Sequence, residues 1–313
     1  MKKWLFGVLF LALLLLAALY IFIPNIITLK SNIGIKVTQQ GLYRMLLDSN
    51  NVQKWWPGDE SKGAAKEKFF LNGYYYKIYA NNISLAPVTI TNNETDLKTS
   101  LYIISLKTDS IQLAWVGSMV TSYNPVKRFF AWQKAKKIND DMNSILLKMK
   151  SFYSNEENIY GIKVEKALVT DSVLISTGAN SNGYPDTKFI YALINKLRIH
   201  AAANNVTEAG FPMLNVDTKD SITFNVRVAL PISKALPSTG DIAQKRMLAD
   251  GNILVTEVKG GVATTTAAFE QIIKYSLDYQ RVAPAIPFFS LITDRTKEPD
   301  SSKWVTKVYC PVM

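Results

Sequence analysis

Val173-Leu-Ile-Ser-Thr recurs eighty residues later as Ile253-Leu-Val-Thr-Glu, and the same offset carries Phe189-Ile-Tyr-Ala-Leu onto Phe269-Glu-Gln-Ile-Ile. It also carries Phe224-Asn-Val-Arg-Val-Ala-Leu-Pro onto Trp304-Val-Thr-Lys-Val-Tyr-Cys-Pro. A constant offset through a strand, a helix and a second strand marks a duplicated structural unit. Two such units can bury their apolar faces across a pseudo-twofold axis, and the cleft where they meet is a natural small-molecule site.

Working outward from the repeat, the 313 residues, 48% of them hydrophobic, suffice for two domains and an appendage. Trp4 to Ile23 is an uncharged apolar run of 20 residues. At 1.5 Å per residue it matches a hydrocarbon core of about 30 Å, so a retained transmembrane helix within an anchor over 1–28 is expected. Lys2 and Lys3 precede the run and Lys30 and Lys36 follow it. The short leading tail favours an inside N-terminus and, in a bacterial cell, a single-pass membrane protein with an extracytoplasmic body. The lone Cys310 can form no internal disulfide.

The net charge of +11 is concentrated between residues 127 and 150, where Lys127, Arg128, Lys134, Lys136, Lys137, Lys148 and Lys150 outnumber Asp140 and Asp141. Phe129, Trp132, Met142, Ile145, Leu146, Met149 and Phe152 recur there at helical spacing. The stretch therefore reads as an amphipathic helix with a basic outer face, either simply solvated or close to anionic lipid. No helix-turn-helix, zinc-finger or RNA-binding motif accompanies the charge, so no nucleic-acid partner is expected.

Before that helix come a strand at Ile33-Gly-Ile-Lys-Val, a short helix at 41–48 and Trp55-Trp-Pro-Gly. Strand candidates follow at 69–71, 74–79, 86–90, 100–105 and 111–115, separated by turn residues such as Asn72-Gly73. This element order resembles the START or Bet v 1-like (SRPBCC) superfamily over 29–153. The resemblance implies a helix-grip fold with an enclosed apolar cavity, although the Trp and Tyr residues could equally be core filler. Residues 154–162 are polar and aperiodic and read as a linker.

In the duplicated part, alternation along the closing strands puts Phe224, Val226, Val228 and Leu230, and Trp304, Thr306, Val308 and Cys310, on one face. Helix positions Phe189, Leu193 and Leu197, and Phe269, Ile272 and Ile273, are spaced to cover it. The opposite face carries Asn225, Arg227 and Ala229 in one copy and Val305, Lys307 and Tyr309 in the other. Trp304-Val-Thr-Lys-Val-Tyr-Cys-Pro-Val, preceded by Glu257-Val-Lys-Gly-Gly, a helix and Ala285-Ile-Pro-Phe-Phe, resembles the GyrI-like effector-binding family over 163–313. The resemblance implies a duplicated βαββ unit with a central ligand cleft, giving an α+β chain overall. Many members place a glutamate where this chain has Lys307. Its mate, Arg227, is also basic, so the cleft suits a hydrophobic anionic or neutral ligand, unless both side chains snorkel to solvent.

The expected ligand-binding residues are Lys307, Tyr309, Arg227, Glu257, Val305 and Asn225. No catalytic residue is assigned. His200, the one histidine, reads as a helix-end residue, and Cys310 as a small core residue. No metal-ligand spacing or phosphate loop occurs, so neither metal nor cofactor is expected. N-x-S/T sequons at Asn82, Asn93 and Asn205 carry no weight outside a eukaryotic secretory context. The expected function is a membrane-anchored, non-DNA-binding small-molecule receptor. The alternatives are a hydrolase working through Tyr309 and Glu257, and a purely structural module at the membrane surface. The sequence leaves the oligomeric state open.

Overall fold

The computed structural model describes residues 2–58, 67–170, 172–218, 220, 222–247 and 249–313. The chain divides into two compact units, Met1–Ile159 and Tyr160–Met313, each built on one curled antiparallel sheet, so the class is α+β.

In the first unit α1 (Lys2–Phe22) leads into β1 (Ile26–Ile35), α2 (Gln39–Leu47) and α3 (Ser49–Gln53). A meander of β2 (Phe69–Leu71), β3 (Tyr74–Ile78), β4 (Leu85–Asn92), β5 (Thr95–Lys107) and β6 (Ser110–Val120) follows, and α4 (Pro125–Tyr153) closes the unit. The sheet order is β1-β6-β5-β4-β3-β2. Asn72 and Gly73, with φ of 48° and 92°, form the two-residue turn between β2 and β3. That is the left-handed pair a tight hairpin requires, and Asn-Gly adopts it at little cost.

Helix α4 starts where Asn124 accepts from the Val126 and Lys127 amides, with Pro125 in the first turn. Its buried stripe, Ile138, Met142, Ile145, Met149 and Tyr153, lies against the sheet. Trp55, Trp56, Tyr76, Trp115 and Tyr153 fill the interior in a chain of ring contacts. The Trp115 indole donates to Thr99 Oγ1 and the Trp55 indole to the Tyr153 hydroxyl. These aromatics pack as core, the usual role of rings inside a sheet.

The transmembrane expectation is corrected: among the described residues no helix is long and apolar enough to cross a membrane. Physically, the C-terminal end of α1 is held by protein. Tyr20 donates to the Tyr123 carbonyl, and Ile23 is buried. The single-pass, extracytoplasmic localisation and the membrane partner fall with the transmembrane expectation. Strand β1 begins at Ile26, ahead of the expected end of the anchor at residue 28, and pairs with β6 along its whole length.

Arg128, expected on the solvated basic face, is only 3% exposed. Its guanidinium stacks on the Tyr20 ring at 4.8 Å, donates to the Ile23 carbonyl, and reaches Asn25 Oδ1 at 2.9 Å. It thereby satisfies the Ile23 carbonyl just past the C-terminal end of α1, where a cation also meets the negative end of the helix dipole.

The second unit contains β7 (Glu165–Leu168), β8 (Ser172–Asn182), α6 (Thr187–Ala203), β9 (Met213–Thr218) and β10 (Thr223–Ile232). Then come β11 (Ala243–Met247), β12 (Asn252–Lys259), α7 (Val262–Asp278), β13 (Phe288–Leu291) and β14 (Val305–Pro311). A short α5 (Glu157–Tyr160) spans the boundary between the units. The sheet order is β11-β8-β10-β9-β13-β14-β12-β7. The βαββ copies β8-α6-β9-β10 and β12-α7-β13-β14 thus meet at a β9–β13 seam. The edge strands are exchanged: β7, which precedes the first copy, pairs with β12 of the second, and β11 pairs with β8.

Val226, Val228, Leu230, Thr306, Val308 and Cys310 are all buried on the face covered by α6 and α7. The helix faces differ slightly from the sequence expectation. Ile190, Tyr191, Ile194 and Leu197 on α6, and Ala268, Ile272 and Tyr275 on α7, are the buried positions, while Phe189, Leu193, Phe269 and Ile273 are half-buried. A wide apolar stripe places its large flanking residues at the rim of the contact.

Arg128→Ala is expected to lower the unfolding free energy by about 2–4 kcal/mol, because it strips donors from buried carbonyls and removes packed methylenes. Lys127→Ala should stay within about 0.5 kcal/mol. Urea titration of both variants checks this. A second test concerns Asp141, which is buried on α4 and accepts from the Tyr76 hydroxyl at 2.9 Å and the Asn72 amide at 2.6 Å. Desolvation raises its carboxyl pKa, against the lowering effect of those hydrogen bonds. A raised folded-state pKa favours the fold at low pH, and that advantage is lost as pH rises through it. The stability of the native chain relative to Asp141→Asn is therefore expected to fall as pH rises from below the ordinary aspartate value. Denaturant midpoints of the two proteins between acid and neutral pH measure this.

Candidate ligand clefts

The uncovered face of the second sheet carries the side chains that alternate with the core. Two clefts open on it, one of about 800 Å³ on the first-copy side and one of about 780 Å³ on the second-copy side. Met213, Met247 and Phe288 line both, so the two adjoin at the seam.

The first cleft contains Asn225 and Arg227. Arg227 stands across from Gly178 on β8 and from Asn215 on β9. Gly178 leaves room: a Cβ there would lie 2.8 Å from the Val226 carbonyl oxygen and 3.5 Å from Arg227 Cγ. Among the described residues, neither the Arg227 guanidinium nor the Lys245 amine in the same cleft has an ion-pair or hydrogen-bond partner. The cleft's carboxylate, Asp241, is occupied by Lys196 and by Thr177 Oγ1, and these hydrogen bonds hold its pKa below the ordinary range. Asn215 Nδ2 donates to the Pro287 carbonyl at 3.0 Å, which leaves Asn215 Oδ1 buried without a donor. Orphaned buried acceptors are uncommon and are candidates for a ligand's hydrogen bond.

The second cleft contains Lys307 and Tyr309. Lys307 is the repeat mate of Arg227 but stands across from Glu257, with Nζ 3.7 Å from Oε2. Glu165 lies close enough that Lys307 also lowers its carboxyl pKa, after the larger effect of Lys163. Among the described residues the cation of the second copy is thus compensated and that of the first is not. Tyr309 stacks on Phe288, with centroids 4.9 Å apart and planes 13° from parallel.

The six expected residues therefore divide. Asn225 and Arg227 share the first cleft and Lys307 and Tyr309 the second, while Glu257 and Val305 line neither. The half-exposed Glu257 is turned to Lys307, so it and Tyr309 do not form the common wall that acid-base chemistry would use. His200 sits in the last turn of α6, and Cys310 is fully buried. Among the described residues no group of three or more His, Cys, Asp or Glu side chains is placed to hold a metal ion. Sequence reasoning missed Asn215, Lys245 and the Met213–Met247–Phe288 floor. Their signal was present in the alternation of β9, but the exchanged β11 that brings in Lys245 and Met247 pairs outside its own repeat.

No family model and no curated relative match the sequence. Solved structures of similar shape include the C-terminal domain of EcmrR, 14% identical, with 49% of this chain and 98% of that domain covered and a TM-score of 0.42. A hydrolase from Listeria innocua is 9% identical, with 48% and 92% covered and a TM-score of 0.36. SAV2435 bound to tetraphenylphosphonium is 15% identical, with 49% and 94% covered and a TM-score of 0.34. Likenesses at these identities and scores carry no argument about this chain.

Gly178→Ala is expected to destabilise by about 1–3 kcal/mol, because the added methyl meets backbone rather than a yielding side chain. The thermal midpoint of the variant measures this.

Proposed function

We propose that the second unit is a small-molecule binding domain whose ligand is an amphipathic anion held at Arg227. The observation that carries this reading is the difference between repeat mates: Arg227 faces a glycine and keeps a free charge, whereas Lys307 faces a glutamate. A cation in a cleft floored by Met213, Met247 and Phe288 suits one charged end joined to an apolar body. A cationic ligand would meet two cations, Arg227 and Lys245, that have no partner among the described residues, and would gain nothing from the already occupied Asp241. The first unit, a sheet wrapped on α4, supports the START-like reading of its architecture, but its aromatic interior gives that unit no comparable claim to a ligand.

The experiment is calorimetric titration of the full chain with hexyl sulfate, hexyltrimethylammonium and hexyl glucoside, which share a tail and differ in head charge. Hexyl sulfate is expected to bind most tightly and to weaken as salt rises. Arg227→Ala should lose roughly 10- to 150-fold, the equivalent of about 1.5–3 kcal/mol for a charged hydrogen bond. Lys307→Ala should change the affinity less than about 3-fold, as expected of an exposed pair. Equal binding of the cationic probe, or equal loss in both variants, would overturn the assignment.

A further inference from the structure

The uncovered face has a direction that neither cleft shows alone. Arg227 on β10 stands across from Asn215 on β9. Tyr309 on β14 stands across from Phe288 on β13 and from Val255 on β12, and Val255 stands across from Glu165 on β7. Leu214 pairs with Phe289 at the seam, so one step along that ladder Asn215 adjoins Phe288. Arg227, Asn215, Phe288, Tyr309, Val255 and Glu165 thus form one row across the sheet, and each lines one cleft or the other. The row reads cation, amide, two stacked rings, an isopropyl group and a carboxylate. Its positive end and its apolar middle lie on opposite sides of the seam.

Arg227 and Tyr309 are three strand spacings apart, about 14 Å. Between them Met213, Met247 and Phe288 line both clefts. Methionine is unbranched and soft and yields readily to a bound chain. Tyr309, Val255, Ile253 and the largely exposed Phe211 offer apolar surface beyond these shared residues. Glu165, ion-paired with Lys163 at 2.8 Å, places a carboxylate at the far end of the row.

We infer that the two clefts form one trough for an elongated amphiphile with a single anionic head, the head at Arg227 and Lys245 and an alkyl tail crossing Phe288 to lie against Tyr309 and Val255. This rests on the anion assignment to Arg227 and adds the length and the one-ended polarity of the ligand. A ligand confined to the first cleft would gain nothing from a tail longer than that cleft, and a ligand with two anionic ends would bring its second charge to the Glu165 carboxylate.

The test is a series of alkyl sulfates from butyl to dodecyl, titrated into the full chain below their micellar concentrations, with the dodecane-1,12-disulfate alongside. Each methylene that becomes buried is worth about 0.8 kcal/mol, so affinity is expected to rise by up to roughly 4-fold per methylene until the tail spans the trough. The disulfate should bind more weakly than dodecyl sulfate. Tyr309→Asp should flatten the rise for the long members while leaving butyl sulfate within about 3-fold of its native affinity. Met213→Ala, which keeps the backbone and shortens a side chain that both clefts share, should keep the rise. A length-independent affinity that still requires Arg227 would overturn the trough and leave the anion assignment standing. Absence of Arg227-dependent binding by any sulfate would remove both.

Discussion

The second unit depends on a short contact, the antiparallel pairing of β9 with β13 through Leu214–Phe289 and Met213–Ser290. That seam joins two βαββ copies into one sheet of eight strands. It puts both helices on one face, and it therefore leaves the other face with no layer to cover it. A sheet with one covered face exposes its alternate side chains by geometry, whatever their chemistry. Function is then decided by which residues occupy those alternate positions.

The two copies have diverged at these positions while keeping their core. Val226 and Val228 and their mates Thr306 and Val308 are equally buried. On the open face Arg227 has become Lys307, Ala229 has become Tyr309, and the cross-strand glycine of one copy is a glutamate in the other. Packing constrains one face of each strand and leaves the other free, so a symmetric scaffold comes to hold an asymmetric charge. In the first unit the aromatic interior and the Asp141–Tyr76–Asn72 cluster serve packing, and Arg128 spends its charge on the end of α1.

The repeat, its core face and the turn at Asn72-Gly73 were legible in the sequence, because each rests on local periodicity or on a residue type with one conformational use. The reach of α1 was misread. An apolar run reports what a helix could enter, but the hold of Tyr20 and Arg128 on its end comes from residues more than a hundred positions away. For the same reason Arg128 counted as a surface cation. The positions of Arg227 and Lys307 as mates were readable, but the partner that silences one and spares the other was not, because cross-strand register is a tertiary fact. The exchange of β7 and β11 was equally hidden, since both strands are short and pair outside their own copy.

The central claim is that an uncompensated Arg227 makes one half of a pseudosymmetric sheet an anion site. It is tested most directly by a crystal structure of the full chain with hexyl sulfate. The account predicts the sulfate oxygens within hydrogen-bond distance of the Arg227 guanidinium, with the tail over Met213 and Phe288. A sulfate seated on Lys307 with Arg227 left empty would contradict it.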